Sequence, residues 1–148
     1  MKVCIVGTGN QGTGMAGLLA QESDCEELVL IDISIEKALK AENLVRSLGE
    51  RCKCTVIKVY QGDASDQDQI SNLANGVDLI FNGIYAQFNY PLMRACLAIG
   101  AHYVDLRSNV CAGPGVPYNE TIDAQLDMDE EFKSAGITAC PCLGLSPG

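Results

Sequence analysis

The sequence predicts an α/β fold, a doubly wound parallel sheet with helices on both faces, and three observations predict it. Six short apolar runs alternate with helical patterns along 148 residues, and such alternation specifies parallel strands because a right-handed crossover sets a helix between each parallel pair. The runs are apolar throughout, as burial on both faces requires. The first run, Val3 to Val6, leads directly into Gly7, Gly9 and Gly12, and the second, Leu28 to Ile31, ends in Asp32, twenty residues after Gly12.

Each element has its own signals. After the first strand, Met15, Leu18 and Leu19 form a helical stripe, with Gly14 and Gly17 keeping that helix thin enough to lie close to the sheet. Strand two is Leu28 to Asp32. Ser34 can cap the next helix, in which Ala38, Ala41, Val45 and Leu48 recur at helical spacing until Gly49 stops it. Thr55 to Tyr60 is rich in β-formers and gives strand three. Ser65 with Asp68 resembles a capping box, Ile70, Leu73 and Ala74 give a short inner face, and Gly76 ends the helix. Strand four is Val77 to Phe81. Pro91 suits a first helical turn, and Leu92, Met93, Cys96 and Ile99 line a helix that stops at Gly100. Strand five is His102 to Leu106. An irregular stretch, Arg107 to Glu120, carries Gly113, Pro114, Gly115 and Pro117. One helix follows, capped by Thr121, faced by Met128, Phe132 and Ala135 and stopped by Gly136, before strand six, Ile137 to Cys140.

A glycine triplet recurs by chance in many chains, so it carries meaning only between a strand and a helix with an acid ending the next strand. All three conditions hold. Gly7 makes the tight turn, Gly9 lets backbone approach a pyrophosphate, and Gly12 lets the helix pack on the strands. The amides from Thr8 through Asn10, Gln11 and Gly12 to Thr13 face the phosphates, where unpaired helix N–H groups and the macrodipole supply positive potential. Asp32 accepts both ribose hydroxyls and repels a 2′-phosphate, and Ile33 and Ser34 bring no Arg to pair with one, so NAD is expected over NADP. The competing role for Asp32 is that of a turn aspartate, with Ser34 at hand as the helix cap. These features together predict a Rossmann fold with strand order 3-2-1-4-5-6 and its ligand crevice at the carboxyl ends of strands one and four.

At 47% apolar the chain suffices for one domain, residues 1–148, burying about 70% of its unfolded surface. A net charge of −9 without a basic patch argues against nucleic acid or an anionic membrane as partner. No apolar run approaches a membrane span and no signal-peptide pattern opens the chain, so it reads as cytoplasmic, with the sequon at Asn119 set aside. Cysteines at 4, 25, 52, 54, 96, 111, 140 and 142 are then free thiols, those at 4, 96 and 140 acting as small core residues. The spacing Cys52-x-Cys54 and Cys140-x-Cys142 is not the C-x-x-C knuckle, and no metal site is expected. Cys111 and Cys142, in loops, are the candidates for reactivity.

These residues resemble the N-terminal domain of the saccharopine dehydrogenase and reductase superfamily, which includes lysine dehydrogenase and carboxynorspermidine dehydrogenase. The specific landmarks are Gly62-Asp63-Ala64-Ser65-Asp66 after strand three, Ala101-His102-Tyr103-Val104-Asp105 as strand five, Leu126 to Phe132 before Ala135-Gly136-Ile137-Thr138, and the closing Gly144 to Gly148. The resemblance implies that Asp63 and Ala64 contact the adenine, that Asn82, Gly83, Ile84 and Tyr85 lie beside the nicotinamide ribose, and that Asp105 sits at the crevice mouth. It also implies an oxidoreductase that moves a hydride at a C–N bond of an amino acid, amine or opine-like substrate, using NAD or NADP. The family often has proline after the Asn ending strand four, where this chain has Gly83-Ile84-Tyr85. The closing turn residues 144–148, with no helix to cover strand six, predict an N-terminal piece of a longer enzyme, inactive alone, whose further domain handles substrate and forms a homo-oligomer.

Several roles stay open on sequence alone. His102 is a proton shuttle or, more in keeping with a lone His in a buried strand, a satisfied structural residue. Asp105 contacts substrate or caps the next segment, and Tyr85 and Phe88 stack on the nicotinamide or cover the sheet edge. The acidic run Asp127 to Glu131 reads as a solvated helix face. At the level of function, a nucleotide-sensing module without turnover and a thiol or metal protein are the alternatives to an enzyme.

Overall fold

The computed structural model describes residues 1–22, 24–108 and 115–144; Gly113, Pro114, Cys111 and the terminal Ser146-Pro147-Gly148 lie outside the described residues. Strands β1 (Lys2–Val6), β2 (Glu27–Asp32), β3 (Val56–Gln61), β4 (Leu79–Asn82), β5 (His102–Asp105) and β6 (Ala139–Cys140) form one sheet in the order β3-β2-β1-β4-β5-β6. Every pairing is parallel. Val6 is level with Ile31 on one side and Asn82 on the other, and Asn82 with Asp105. The loops leaving β1, β2, β4 and β5 therefore gather along one edge of the sheet.

Alternate residues of each strand feed two cores, because successive side chains point to opposite faces. Val3, Ile5, Leu28 and Leu30 pack under α1 (Asn10–Leu19) and α2 (Ile35–Arg46), meeting Ala16, Ala41 and Val45. Cys4, Val6, Ile31, Ile80 and Tyr103 face α3 (Gln67–Leu73), α4 (Asn89–Ile99), α5 (Ile122–Leu126) and α6 (Asp129–Ala135), meeting Ile70, Leu92, Met93, Cys96 and Phe132. Burial pushes the thiols of Cys4 and Cys96 far up, which suits their use as small apolar core groups.

Four local expectations change. The fully buried positions of α1 and its cap are Gly12, Ala16 and Ala20; Met15 and Leu19 pack against the core beside them as expected, whereas Leu18 is 64% exposed. Gly14 and Gly17 face open space rather than the sheet; the small residue that lets the helix approach is Gly12. Asp66, not Ser65, caps α3, accepting from the Gln69 amide at 2.9 Å, because Asp63 already holds the Ser65 amide and hydroxyl. The single helix expected after Thr121 is two, α5 and α6. The chain tightens between them where the Met128 amide donates to the Gln125 carbonyl, and Asp129, Glu130 and Glu131 then occupy the first turn of α6, where a helix N-terminus favours acids. That run is also paired rather than merely solvated, Glu131 with Arg94 and both Asp129 and Glu130 with Lys133.

Candidate functional site: a crevice at the carboxyl edge of the sheet

The glycines build the floor of the crevice by contact. Gly7, at φ +89°, lies where a Cβ would come 2.1 Å from the Ile84 side chain, and a Cβ on Gly12 would come 1.8 Å from the Gly7 carbonyl oxygen. Gly83, from the loop after β4, presses on that same carbonyl, with 2.7 Å left for a Cβ. Neither distance admits a side chain, so β1, α1 and the β4 loop meet backbone to backbone. Gly9 differs: a Cβ there meets nothing within 4 Å and would project into the open crevice. No side chain caps α1 and its first turn holds no acid, so its leading amides are left to the crevice.

Asp32 closes the adjacent wall. One carboxylate oxygen accepts from the Thr8 amide at 2.7 Å and the Thr8 hydroxyl at 3.1 Å, and the other from the Ser34 amide at 3.0 Å. These hydrogen bonds give Asp32 the competing role, that of a turn aspartate. It is a turn aspartate that orients the glycine loop, Ser34 caps α2 as expected, and its carboxylate still lines the crevice. Asp63 and Ala64 follow on the next wall; hydrogen bonds from the Ser65 amide and hydroxyl hold the Asp63 carboxyl below its ordinary range.

The resulting crevice encloses about 770 Å³ and runs from Asp32 and Asp63 past the glycine loop to Tyr85, Phe88 and Arg107. It brings together Gly7, Gly9, Asn10, Gln11, Asp32, Asp63, Ala64, Gly83, Ile84 and Tyr85. Thr8, Gly12, Asn82 and Asp105 support it from behind. Tyr85 is 69% exposed on the crevice wall, whereas Phe88 is half-buried against the core and does the covering.

Behind the far end lies a buried polar chain. Asn82 accepts from the Ile84 amide at 2.9 Å and donates to Asn89 at 2.7 Å; Asn89 donates to Gln125 at 3.1 Å; Gln125 donates to Asp105 at 2.8 Å. Asp105 is 1% exposed and its second oxygen accepts from the Cys142 amide at 2.8 Å, so it caps the segment after β6 and stays off the crevice surface. Desolvation, stronger than these hydrogen bonds, pushes its carboxyl above the ordinary range. His102 stands at the opposite end of β5. It is exposed rather than buried, and its Nδ1 accepts from the Thr138 amide at 2.9 Å, a structural role outside the crevice. Cys142 is exposed at a positive φ of 62°.

Sequence reasoning missed four residues. Lys37 and Arg107 line the crevice, and the available signal was position, since each is the first basic residue after a strand that ends at it. Asn89 and Gln125 had no local signal, because their partners lie 7 to 36 residues away.

A family model described as the saccharopine dehydrogenase NADP binding domain matches residues 3–140. A carboxynorspermidine synthase of Vibrio cholerae serotype O1 is 31% identical over the whole of this chain, which spans 37% of that relative's length. Among solved structures, the L-Glu-forming saccharopine dehydrogenase of Saccharomyces cerevisiae superposes with a TM-score of 0.74 at 18% identity, over 99% of this chain and 28% of that one. A metagenomic short-chain oxidoreductase in complex with NADP gives 0.64 at 17% identity, over 95% of this chain and 80% of that one. At such identities the structural likeness establishes the Rossmann-type fold. Among the described residues no helix is long and apolar enough to cross a membrane.

Proposed function

The chain belongs to the saccharopine dehydrogenase NADP-binding domain family, and on that premise we propose that it is the dinucleotide-binding part of an oxidoreductase acting at a C–N bond of an amino acid, amine or opine-like substrate. The observation that carries the reading is the Gly9 position, a backbone cradle with open space where a side chain would stand, set between uncapped helix amides and the Asp32 carboxylate. A nicotinamide dinucleotide supplies hydride chemistry when bound. The protein's own residues do the rest. The amides after Gly9 bind pyrophosphate without a basic side chain, Asp32 accepts from the ribose nearest it, and Asp63 and Ala64 wall the adenine end. The loop from Gly83 to Tyr85 lies at the other end, fixed through Asn82, where a nicotinamide ribose is held. Arg107 beside Tyr85 and Phe88 offers a guanidinium to a substrate carboxylate at that end.

NAD is the proposed preference, because the Asp32 carboxylate faces a ribose and repels a phosphate on it. The reaction itself belongs to a longer protein, and this part alone turns nothing over. Titration calorimetry with NAD and NADP, repeated on Asp32→Ala, tests the reading. The expected result is NAD binding that the substitution weakens about tenfold; wild-type protein that binds neither dinucleotide at millimolar concentration sinks it.

A further inference from the structure

The amino-terminal edge of the sheet, opposite the crevice, gathers three of the cysteines. β2 and β3 pair from Glu27 with Val56 to Asp32 with Gln61. The segments ahead of them stay joined, the Thr55 and Val56 amides donating to the Glu26 carbonyl at 3.0 and 3.1 Å. Carrying the pairing two positions back sets Cys25 opposite Cys54. Neighbouring strands lie about 4.8 Å apart, inside the range of Cα separations that a disulfide spans. Both side chains enter the same core beside Leu28 and Ala41, with Cys52 packed at its margin. The Cys25 thiol donates to the Cys54 sulfur. The two sulfurs lie 3.8 Å from the Glu27 carbonyl oxygen and 3.4 Å from the Glu26 one, respectively. Cys52 instead turns its thiol to the Cys54 carbonyl at 3.6 Å. Among the described residues no three His, Cys, Asp or Glu side chains are arranged to hold a metal ion. The Cys25 and Cys54 thiols are also unequal. Cys25 is fully buried, whereas Cys54 stands at the rim, 9% exposed. Burial pushes both thiols up, Cys25 to about 11, and the hydrogen bond between them favours the charged form of Cys54 over that of Cys25.

We propose that Cys25 and Cys54 form a redox-modification site, a dithiol that a peroxide closes into a disulfide between the entries of β2 and β3. The inference stands apart from the dinucleotide reading and survives its failure. The Cys54 thiolate attacks one peroxide oxygen, the O–O bond breaks, and the other oxygen leaves as hydroxide, which takes up the proton Cys54 released. Cys54 is then a sulfenic acid. The Cys25 sulfur attacks it, the S–S bond forms, the S–O bond breaks, and the hydroxyl leaves with the Cys25 proton as water. Two thiols are oxidised and the peroxide is reduced to two waters. The loop closed in this way runs from Cys25 to Cys54 and carries β2, Asp32 and α2. The bond therefore restrains, in the unfolded chain, the same segment that supplies the β2 wall of the crevice.

The test is to treat the folded protein with millimolar hydrogen peroxide, block the remaining thiols with an alkylating reagent, and map linked peptides by mass spectrometry of a non-reduced tryptic digest. Trypsin cleaves after Lys53 and so separates Cys52 from Cys54. Thermal unfolding is followed before and after treatment. The expected result is a linked pair of peptides holding Cys25 and Cys54 that a thiol reductant opens, with a Tm about 5 °C or more above that of the reduced protein. Cys25→Ala shows neither the link nor the rise, and Cys52→Ala keeps both. A link between Cys52 and Cys54, Cys54 oxidised to sulfinic acid with Cys25 still alkylated, or unchanged peptides and Tm would each overturn the assignment. The wild-type map decides the matter by itself if a buried substitution unfolds the chain.

Discussion

The two ends of the crevice are built from different materials. At the end beside β2, β1, β2 and their loops form the wall from backbone: Gly7, Gly9 and Gly12, uncapped helix amides, and one carboxylate tied to the Thr8 and Ser34 amides. At the other end, β4 and β5 hold their loops through side chains, in the buried sequence Asn82, Asn89, Gln125 and Asp105. The difference teaches what each construction tolerates. A backbone site fails by steric intrusion, at the atom where a side chain is added, whereas a polar network fails by leaving partners unsatisfied.

The sharpest way to break the comparison lies within the glycines themselves. Gly12→Ala places a Cβ against the Gly7 carbonyl, and chemical denaturation should show a loss of about 3 kcal/mol, with dinucleotide binding lost as well. Gly9→Ala meets no protein atom within 4 Å. Its stability should stay within about 0.5 kcal/mol of wild type while affinity for dinucleotide falls at least about tenfold. If Gly9→Ala binds normally, the cradle is not where the ligand sits.

Next in size is the network. Asn89→Ala strips a partner from Asn82 and from Gln125, both nearly inaccessible to water, and should cost about 2 kcal/mol in urea unfolding. Combined with Gln125→Ala, the loss should fall short of the sum of the two single losses, since the second cut removes groups already unpartnered. Strict additivity would mean that the four residues do not act as one network.

The smallest effect is the titration of Asp105. Its carboxyl lies above the ordinary range in the folded protein because it is desolvated. The native state therefore binds a proton where the unfolded state has released it, so the contribution of Asp105 to stability is greatest below the ordinary carboxylate range and declines as pH rises toward the raised value. Asp105→Asn, measured over the same pH range, should lose that slope while keeping a constant offset from the amide set against its hydrogen-bond donors. Parallel curves for the two proteins would remove Asp105 as the source.

What was legible in the sequence follows the same division. Strand order, the two-sided core and the glycine-floored end of the crevice follow from apolar runs and three glycines, because those signals report backbone conformation, which is local. Asn89 and Gln125 look like ordinary polar residues of helices, and nothing within a few positions of either announces a partner. Lys37 carried a positional signal only, as the first basic residue after β2, and its place on the crevice wall depends on how α2 lies beside the glycine loop. The stripe of α1 misled in the opposite sense. Leu18 resembles a core residue by composition, yet it falls on the outer face of a helix whose buried positions are Gly12, Ala16 and Ala20, with Met15 and Leu19 packed at their flanks.

The Gly7 carbonyl, wedged between Gly12 on one side and Gly83 on the other, also has a mechanical meaning. Side chains relax under load by changing rotamer, but a carbonyl held between two α-carbons has no rotamer to change. The base of the crevice is accordingly its stiff part, moving as one piece with β1, α1 and the start of the β4 loop. Any opening or closing around a ligand is left to what flanks it, beginning with the exposed ring of Tyr85.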